Sequence, residues 1–270
     1  MITQWKHLWM YDYMDFGCIV SERNSRGFVG DELSLNDIVY VGSCDITGVR
    51  KDPFELRWSD ILSKKLSTKN ISIGGPSVGI GTMLGYFASY LKEFGSPQTV
   101  IFTVQQHYTA VYKNNKWEEV IIGDYGTSCN EHNLLEVGGQ SIERVKYYHY
   151  HKIISNDLFE SAKIQIEKMA SKLTDIEFLT TRFCLIMEQL LELKRHYGFE
   201  LICAPSSSQP VMPFLRPFYE NAINRMSIQH MFLPYIKAKD INPDFSPGPQ
   251  TQQLLAESFL TRYWQLKHGK

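Results

Sequence analysis

"DIVYVGSCDITG", Asp37 to Gly48, is the stretch that decides the fold class. Ile38 to Val41 are four apolar residues in a row, three of them β-branched, and they run straight into Gly42-Ser43-Cys44. The chain then returns to polar, turn-forming residues. A short continuous apolar run bounded by turn signals fits a strand buried on both faces, as in a parallel sheet. It delivers a small thiol-bearing residue onto a tight turn. Whether that thiol has partners that would make it reactive is the functional question the sequence raises.

Working outward, strand and helix patterns alternate. Asp52-Pro53 predicts a helix start, with Asp as N-cap and Pro at the first helical position. Phe54, Trp58, Ile61 and Leu62 then share one face. "NISIGG" (Asn70–Gly75) is a second short strand ending in glycines. Val78, Met83, Leu84, Phe87 and Leu91 mark a second helix that Gly95 closes. "TVIFTV" (Thr99–Val104) is a third apolar strand. Residues 108–152 break this rhythm with turn residues between short apolar pieces, and are expected to be an insertion of a hairpin and loops. Two helices follow, one carrying Phe159, Ala162, Ile166, Met169 and Leu173. The other carries Ile176, Leu179, Phe183, Ile186, Leu190 and Leu193, and ends at Gly198. "FELICAP" (Phe199–Pro205) is a further buried strand. A proline-rich stretch expected to be irregular runs to about 249, and a last helix carries Leu255, Phe259, Tyr263 and Leu266. There is no internal repeat or low-complexity tract. The alternation predicts an α/β fold, a three-layer α/β/α sandwich with a mostly parallel sheet in which the strands at 38–41, 70–73, 99–104 and 199–204 lie side by side. Residues 1–36 are expected to be an N-terminal arm and 37–270 the domain.

Length and composition narrow the function classes. A chain of 270 residues can bury a large core without staples. Lys plus Arg number 28 against 29 for Asp plus Glu, a net charge of −1, which argues against a nucleic-acid binder. No apolar run approaches the ~20 residues of a membrane span, and the N-terminus lacks the pattern of a signal peptide, so no membrane partner is expected. Five cysteines, at 18, 44, 129, 184 and 203, are scattered without paired spacing, so neither a zinc site nor a disulfide framework is expected. No cofactor and no metal are expected. His149 and His151 in "YYHYH" have the i, i+2 spacing of one strand face, but no third ligand is in view. The aromatic N-terminus, Trp5, Trp9, Tyr11, Tyr13 and Phe16, reads either as core packing or as a contact surface for a partner chain.

The blocks together resemble the SGNH/GDSL hydrolase superfamily over residues 37 to 267, with 108–152 unmatched. "IVYVGSCDITG" stands where that family has a strand followed by Gly-Asp-Ser. "NISIGGPS" looks like its second block, whose oxyanion glycine corresponds to Gly75, with Gly74 the alternative. "VIFTVQQH" stands in place of Gly-x-Asn-Asp, and "DFSPGPQTQQLLAE" in place of Asp-x-x-His-Pro and its helix. The lead-in Asn24–Asp37 looks like the preamble of SGNH-like proteins encoded by tailed bacteriophages. The resemblance implies the flavodoxin-like arrangement of the family. It implies a site built from Cys44 at the serine position, Gly75, Gln106 (or His107 with the register slipped by one) at the asparagine position, and Ser246 at the histidine position, with Asp244 just upstream.

Those letters depart from the family's chemistry. Acyl transfer needs a base that takes the nucleophile's proton and returns it to the leaving group, and Ser246 does not titrate near neutral pH. A free thiol, at about 8.5, is a few per cent thiolate at pH 7, which relaxes the need for a base in the first step only. A glutamine for an asparagine moves the oxyanion donor by one methylene, and losing one such donor costs roughly 3–4 kcal/mol. Cys44 therefore reads as an inert small residue on a turn or as a nucleophile. His107 reads as a structural residue or a relocated base, and Asp244 as a turn or cap residue. Two function classes stay open. One is a protein that has lost the family's esterase chemistry and serves as a structural or binding component of a phage particle, with other virion proteins or further copies of itself as partners and a glycan or acyl ester as ligand. The other is a divergent esterase or acyl hydrolase using Cys44.

Overall fold

The computed structural model describes residues 24–26, 28–42, 46, 57–74, 80–104, 109–113, 116–118, 127–129, 135–138, 146, 149–150, 152, 154–173, 176–205, 216–234, 236, 239–240 and 248–269, the strands between 109 and 138 by their backbone. Four strands, β1 (Ile38–Gly42), β2 (Ser72–Gly74), β3 (Thr99–Val104) and β8 (Glu200–Pro205), form one sheet in the order β2-β1-β3-β8. Every pair in it is parallel, with Tyr40 opposite Ser72, Val39 opposite Val100 and Phe102 opposite Cys203. The expected parallel sheet is therefore present, and its spatial order is the flavodoxin-like 2-1-3-4.

The side chains of each strand alternate between two cores. Val39 and Val41 join Ile73, Val100, Phe102 and Leu201 beneath α2 (Ile80–Phe94), α3 (Asn156–Leu173) and α4 (Ile176–Tyr197). Ile38 and Tyr40 join Ile101 and Ile202 beneath α1 (Trp58–Leu66) and α6 (Pro249–His268). A sheet buried on both faces has no solvent side, so its strands read as continuous apolar runs, which is why Ile38–Val41 was legible. The result is three layers, α/β/α. Phe28 and Val29 are buried, Phe28 in the α2 core, so packing against the sheet already begins at residue 28.

Three local expectations are corrected. The helix that carries Trp58, Ile61 and Leu62 begins at Trp58 and does not run on from Asp52-Pro53, which lie outside the described residues. Arg57 is extended (φ −68°, ψ 140°), and the Trp58 N–H donates to Gln252 Oε1 at 2.8 Å, so a residue 194 positions away caps the helix. The proline-rich stretch holds a further helix, α5 (Arg216–Met226), and a 3-10 turn at Gln229–Met231. Pro217 falls in the first turn of α5, where its missing N–H costs no hydrogen bond. His149 and Tyr150 are helical and not on a strand.

Between β3 and α3, strands β4 (Thr109–Lys113), β5 (Lys116–Glu118), β6 (Thr127–Cys129) and β7 (Leu135–Gly138) form a second, wholly antiparallel sheet in the order β5-β4-β7-β6. It goes beyond a hairpin and loops. Among the described residues no helix is long and apolar enough to cross a membrane.

Candidate functional site

In a doubly wound sheet the chain leaves β1 and β3 in opposite directions, and a crevice opens beyond their carboxyl ends. That switch point lies here between Gly42 and Val104. β2 ends beside β1, with Gly74 the register partner of Gly42. Gly74 has φ +147°, and a Cβ placed on it would sit 1.7 Å from the Gly42 carbonyl oxygen. Only glycine tolerates both that conformation and that approach. Thr103 Oγ1 donates to the Val41 carbonyl at 3.3 Å and ties β3 to β1 at the same end. The ends of β1 and β2 are thus backbone at close quarters, with one buried hydroxyl bracing β3 to β1.

The chain continues from these strand ends directly into the expected site residues. Cys44 follows Gly42 by two positions, Gly75 follows Gly74 by one, and Gln106 and His107 follow Val104 by two and three. Asp244 and Ser246 fall between Asp240 and Gly248, ahead of α6. All six lie outside the described residues, as do His151, the cysteine at 18 and the five aromatic residues at 5–16.

What surrounds those segments is defined. Ile46 is helical and fully buried, and its carbonyl accepts from Arg57 Nη1 at 3.3 Å. Arg57 is 7% exposed and chelated by Asp60, with Nη2 on Oδ1 at 2.7 Å and Nε on Oδ2. Asp60 also accepts from Asn70 Nδ2, and the Asn70 Oδ1 accepts from Ser72 Oγ at 2.6 Å. A buried guanidinium needs such pairing, since an isolated charge there is costly. The network therefore ties Ile46 and Asn70 to the start of α1. Arg57 and Asp60 are i, i+3 neighbours, whereas the Ile46 carbonyl and Asn70 reach the pair from other segments.

On the other flank, Asp240 caps α6 from outside the helix. Its Oδ2 accepts from the Gln250 N–H at 3.0 Å and its Oδ1 from the Thr251 N–H at 2.8 Å. The Thr251 hydroxyl donates back to Asp240, and the Gly248 N–H reaches the Asp240 carbonyl at 3.1 Å. Burial pushes the Asp240 carboxyl up, but the Thr251 hydroxyl and the two backbone N–H groups together outweigh it and hold the group below the usual carboxylate range. Asp240, four residues ahead of Asp244, thus caps α6, and the turn or cap role expected of Asp244 itself lies outside the described residues.

Two other groups singled out by residue type are placed elsewhere. Cys184 and Cys203 are free and buried, and burial pushes both thiols up, so neither is a ready nucleophile. His149 bonds Asn156 Oδ1 at 2.6 Å and stacks on Phe159 at 4.3 Å. Among the described residues no three His, Cys, Asp or Glu side chains cluster as metal ligands.

No protein-family model matches the sequence, and no curated protein matches it either. Solved structures do align. A family two carbohydrate esterase from Clostridium thermocellum, in complex with cellohexaose, is 12% identical over 92% of this chain, with a TM-score of 0.46. An active-site mutant of a family two carbohydrate esterase from that organism is 11% identical, with a TM-score of 0.44. An acetyl xylan esterase from the rumen bacterium Butyrivibrio proteoclasticus is 10% identical over 88% of this chain, with a TM-score of 0.40. The chain spans 65%, 64% and 66% of the length of those three chains, in the same order.

Proposed function

We propose that this chain is an SGNH/GDSL-like α/β domain that has lost the family's esterase chemistry and serves as a structural or binding component of a phage particle. The observation that carries the reading is the continuation of β1, β2 and β3, from one end of a 2-1-3-4 sheet, into Cys44, Gly75 and Gln106. By the resemblance these stand at the family's positions, where they supply neither its serine nor its asparagine. Ser246, after the Asp240 clasp, supplies no base. Without a proton donor for the leaving group, a binding crevice survives while turnover does not. A glycan or an acyl ester fits such a crevice, and other virion proteins or further copies of the chain are its protein partners. The phage setting rests on the lead-in Asn24–Asp37.

The competing reading, a divergent esterase, rests on the thiol of Cys44 just beyond β1. One assay separates the two. Activated acyl esters are offered to the wild type and to Cys44→Ala, and both proteins are searched by intact mass for an acyl adduct. The expected result is background hydrolysis by both and no adduct that depends on Cys44. Turnover that disappears in Cys44→Ala, with an acylated wild type, establishes the esterase instead.

A further inference from the structure

The register of the second sheet sorts its residues by chemistry. Tyr112 of β4 pairs with Trp117 of β5 on one side and Leu135 of β7 on the other, and Leu135 pairs with Cys129 of β6. That row is apolar or aromatic across all four strands. The adjacent row runs Ser128, Glu136, Val111, Glu118. It belongs to the opposite face, because successive residues of a strand alternate. Two residues further along, on the same face as Glu118, Lys113 stands opposite Lys116. Like charges directly opposite each other work against the pairing.

Strand β5 is an edge. Among the described residues it pairs with β4 alone. β4 ends at Lys113 and β5 begins at Lys116, so Lys113 and Lys116 close a hairpin with two residues between the strands. Such a closing pair exchanges both ladder hydrogen bonds. The alternation of an antiparallel ladder then turns the N–H and C=O of Trp117 away from β4, toward the open edge.

We propose that β5 is the contact through which two copies of this chain pair, antiparallel and about a two-fold axis at Trp117. The two Trp117 residues exchange N–H to C=O bonds, and two four-stranded sheets become one of eight strands. The axis sets Lys116 opposite Glu118 of the second copy, and Glu118 opposite its Lys116. The row Glu136, Val111, Glu118 therefore runs on into Lys116 and Lys113 of the second copy, acidic residues meeting basic ones. The apolar row also continues, with Trp117 beside Trp117 as an aromatic cross-strand pair. A lysine on an edge ordinarily wards off a further strand. The order Lys-Trp-Glu turns that guard into a match for its own copy in this register. So short an edge fits a weak, concentration-dependent dimer and not an obligate one. The proposal names a surface for the self-association put forward above and is independent of the acyl-ester reading.

The test is sedimentation velocity of the full chain at about 100 μM and in dilution from it, a range that spans micromolar affinities. The wild type should shift from dimer to monomer on dilution. Lys116→Glu and Glu118→Lys each turn both cross-copy pairs into like charges, and each should weaken the dimer about ten-fold or more with the circular dichroism spectrum unchanged. An equimolar mixture of the two variants, and the double variant Lys116→Glu/Glu118→Lys by itself, restore opposite charges across the axis and should dimerise as the wild type does. That rescue separates a contact at this edge from a loss of folding. A wild type that stays monomeric at the highest concentration, a dimer that either single variant leaves intact, or single variants that stay monomeric when mixed, each overturns the proposal.

Discussion

At the scale of the residue, position 240 shows how one carboxylate organises a helix and a loop. The first N–H groups of α6 have no partner inside the helix, and an oxygen acceptor there commonly contributes about 1 kcal/mol. Asp240 satisfies two of them and adds favourable charge at the positive end of the helix. Asp240→Ala should therefore lower stability by about 1 kcal/mol in urea denaturation at neutral pH. Its folded-state ionisation is shifted down, so the contribution is present above the ordinary aspartate range and is lost as pH falls through the folded value. The gap between variant and wild type should narrow below about pH 4. A gap that stays constant from pH 7 to acid would remove the carboxylate from the account. Thr251 offers a second check, because Thr251→Val keeps the shape and deletes the hydroxyl that binds Asp240.

At the scale of the element, Trp58 joins α1 to α6 and to the sheet. It is fully buried, edge-on to Tyr40 at 5.4 Å and against Phe259 at 4.5 Å. Trp58→Ala should cost about 3–5 kcal/mol by emptying that space. Its Nε1–H has no acceptor among the described residues, so the ring contributes through shape and contact rather than through a hydrogen bond. Trp58→Phe, which also deletes the unpaired donor, should cost less than about 1.5 kcal/mol. A Phe variant as unstable as the Ala variant would mean that the indole N–H matters after all. Elsewhere the elements follow their sequence signals closely. Gly95 ends α2 with φ +92° and its N–H on the Leu91 carbonyl at 3.0 Å, as its place after the apolar periodicity predicts.

At the scale of the whole molecule, two phenols sit in the two cores on opposite faces of the sheet. Burial pushes Tyr40 up to about 12, against the pull of the Ser63 hydroxyl, and burial pushes Tyr90 up to about 12 as well. In the unfolded chain a phenol titrates near ~10. Between about pH 10 and 12 the unfolded state therefore holds fewer protons than the native state, and stability falls as pH rises. Below that window the two phenols contribute nothing that depends on pH. Loss of circular dichroism should set in within it, and Tyr40→Phe/Tyr90→Phe should lose a smaller fraction of its pH 8 stability between pH 10 and 12 than the wild type. Equal fractional losses would assign the alkaline limit to other groups.

The sequence by itself determined the α/β class, the four parallel strands and the long helices, because these depend on local periodicity and on strands buried on both faces. Ile38–Val41 and Thr99–Val104 could be read alone for that reason. It also placed Cys44, Gly75, Gln106 and His107 just beyond three strands that end together, since register follows from where each apolar run stops. Tertiary structure decided the rest. α1 starts at Trp58 because Gln252 reaches its first N–H from α6. α5 forms within a proline-rich stretch because it can pack against α4, with Arg225 held by Glu177 at 2.9 Å. Asp240 caps α6, and Arg57 binds the Ile46 carbonyl, through contacts between elements and not within one. Trp58 and Gln252 stand 194 positions apart, so no local window of sequence contains both, and the contacts of Asp240 with α6 and of Arg57 with Ile46 span 10–11 positions that carry no periodic signal.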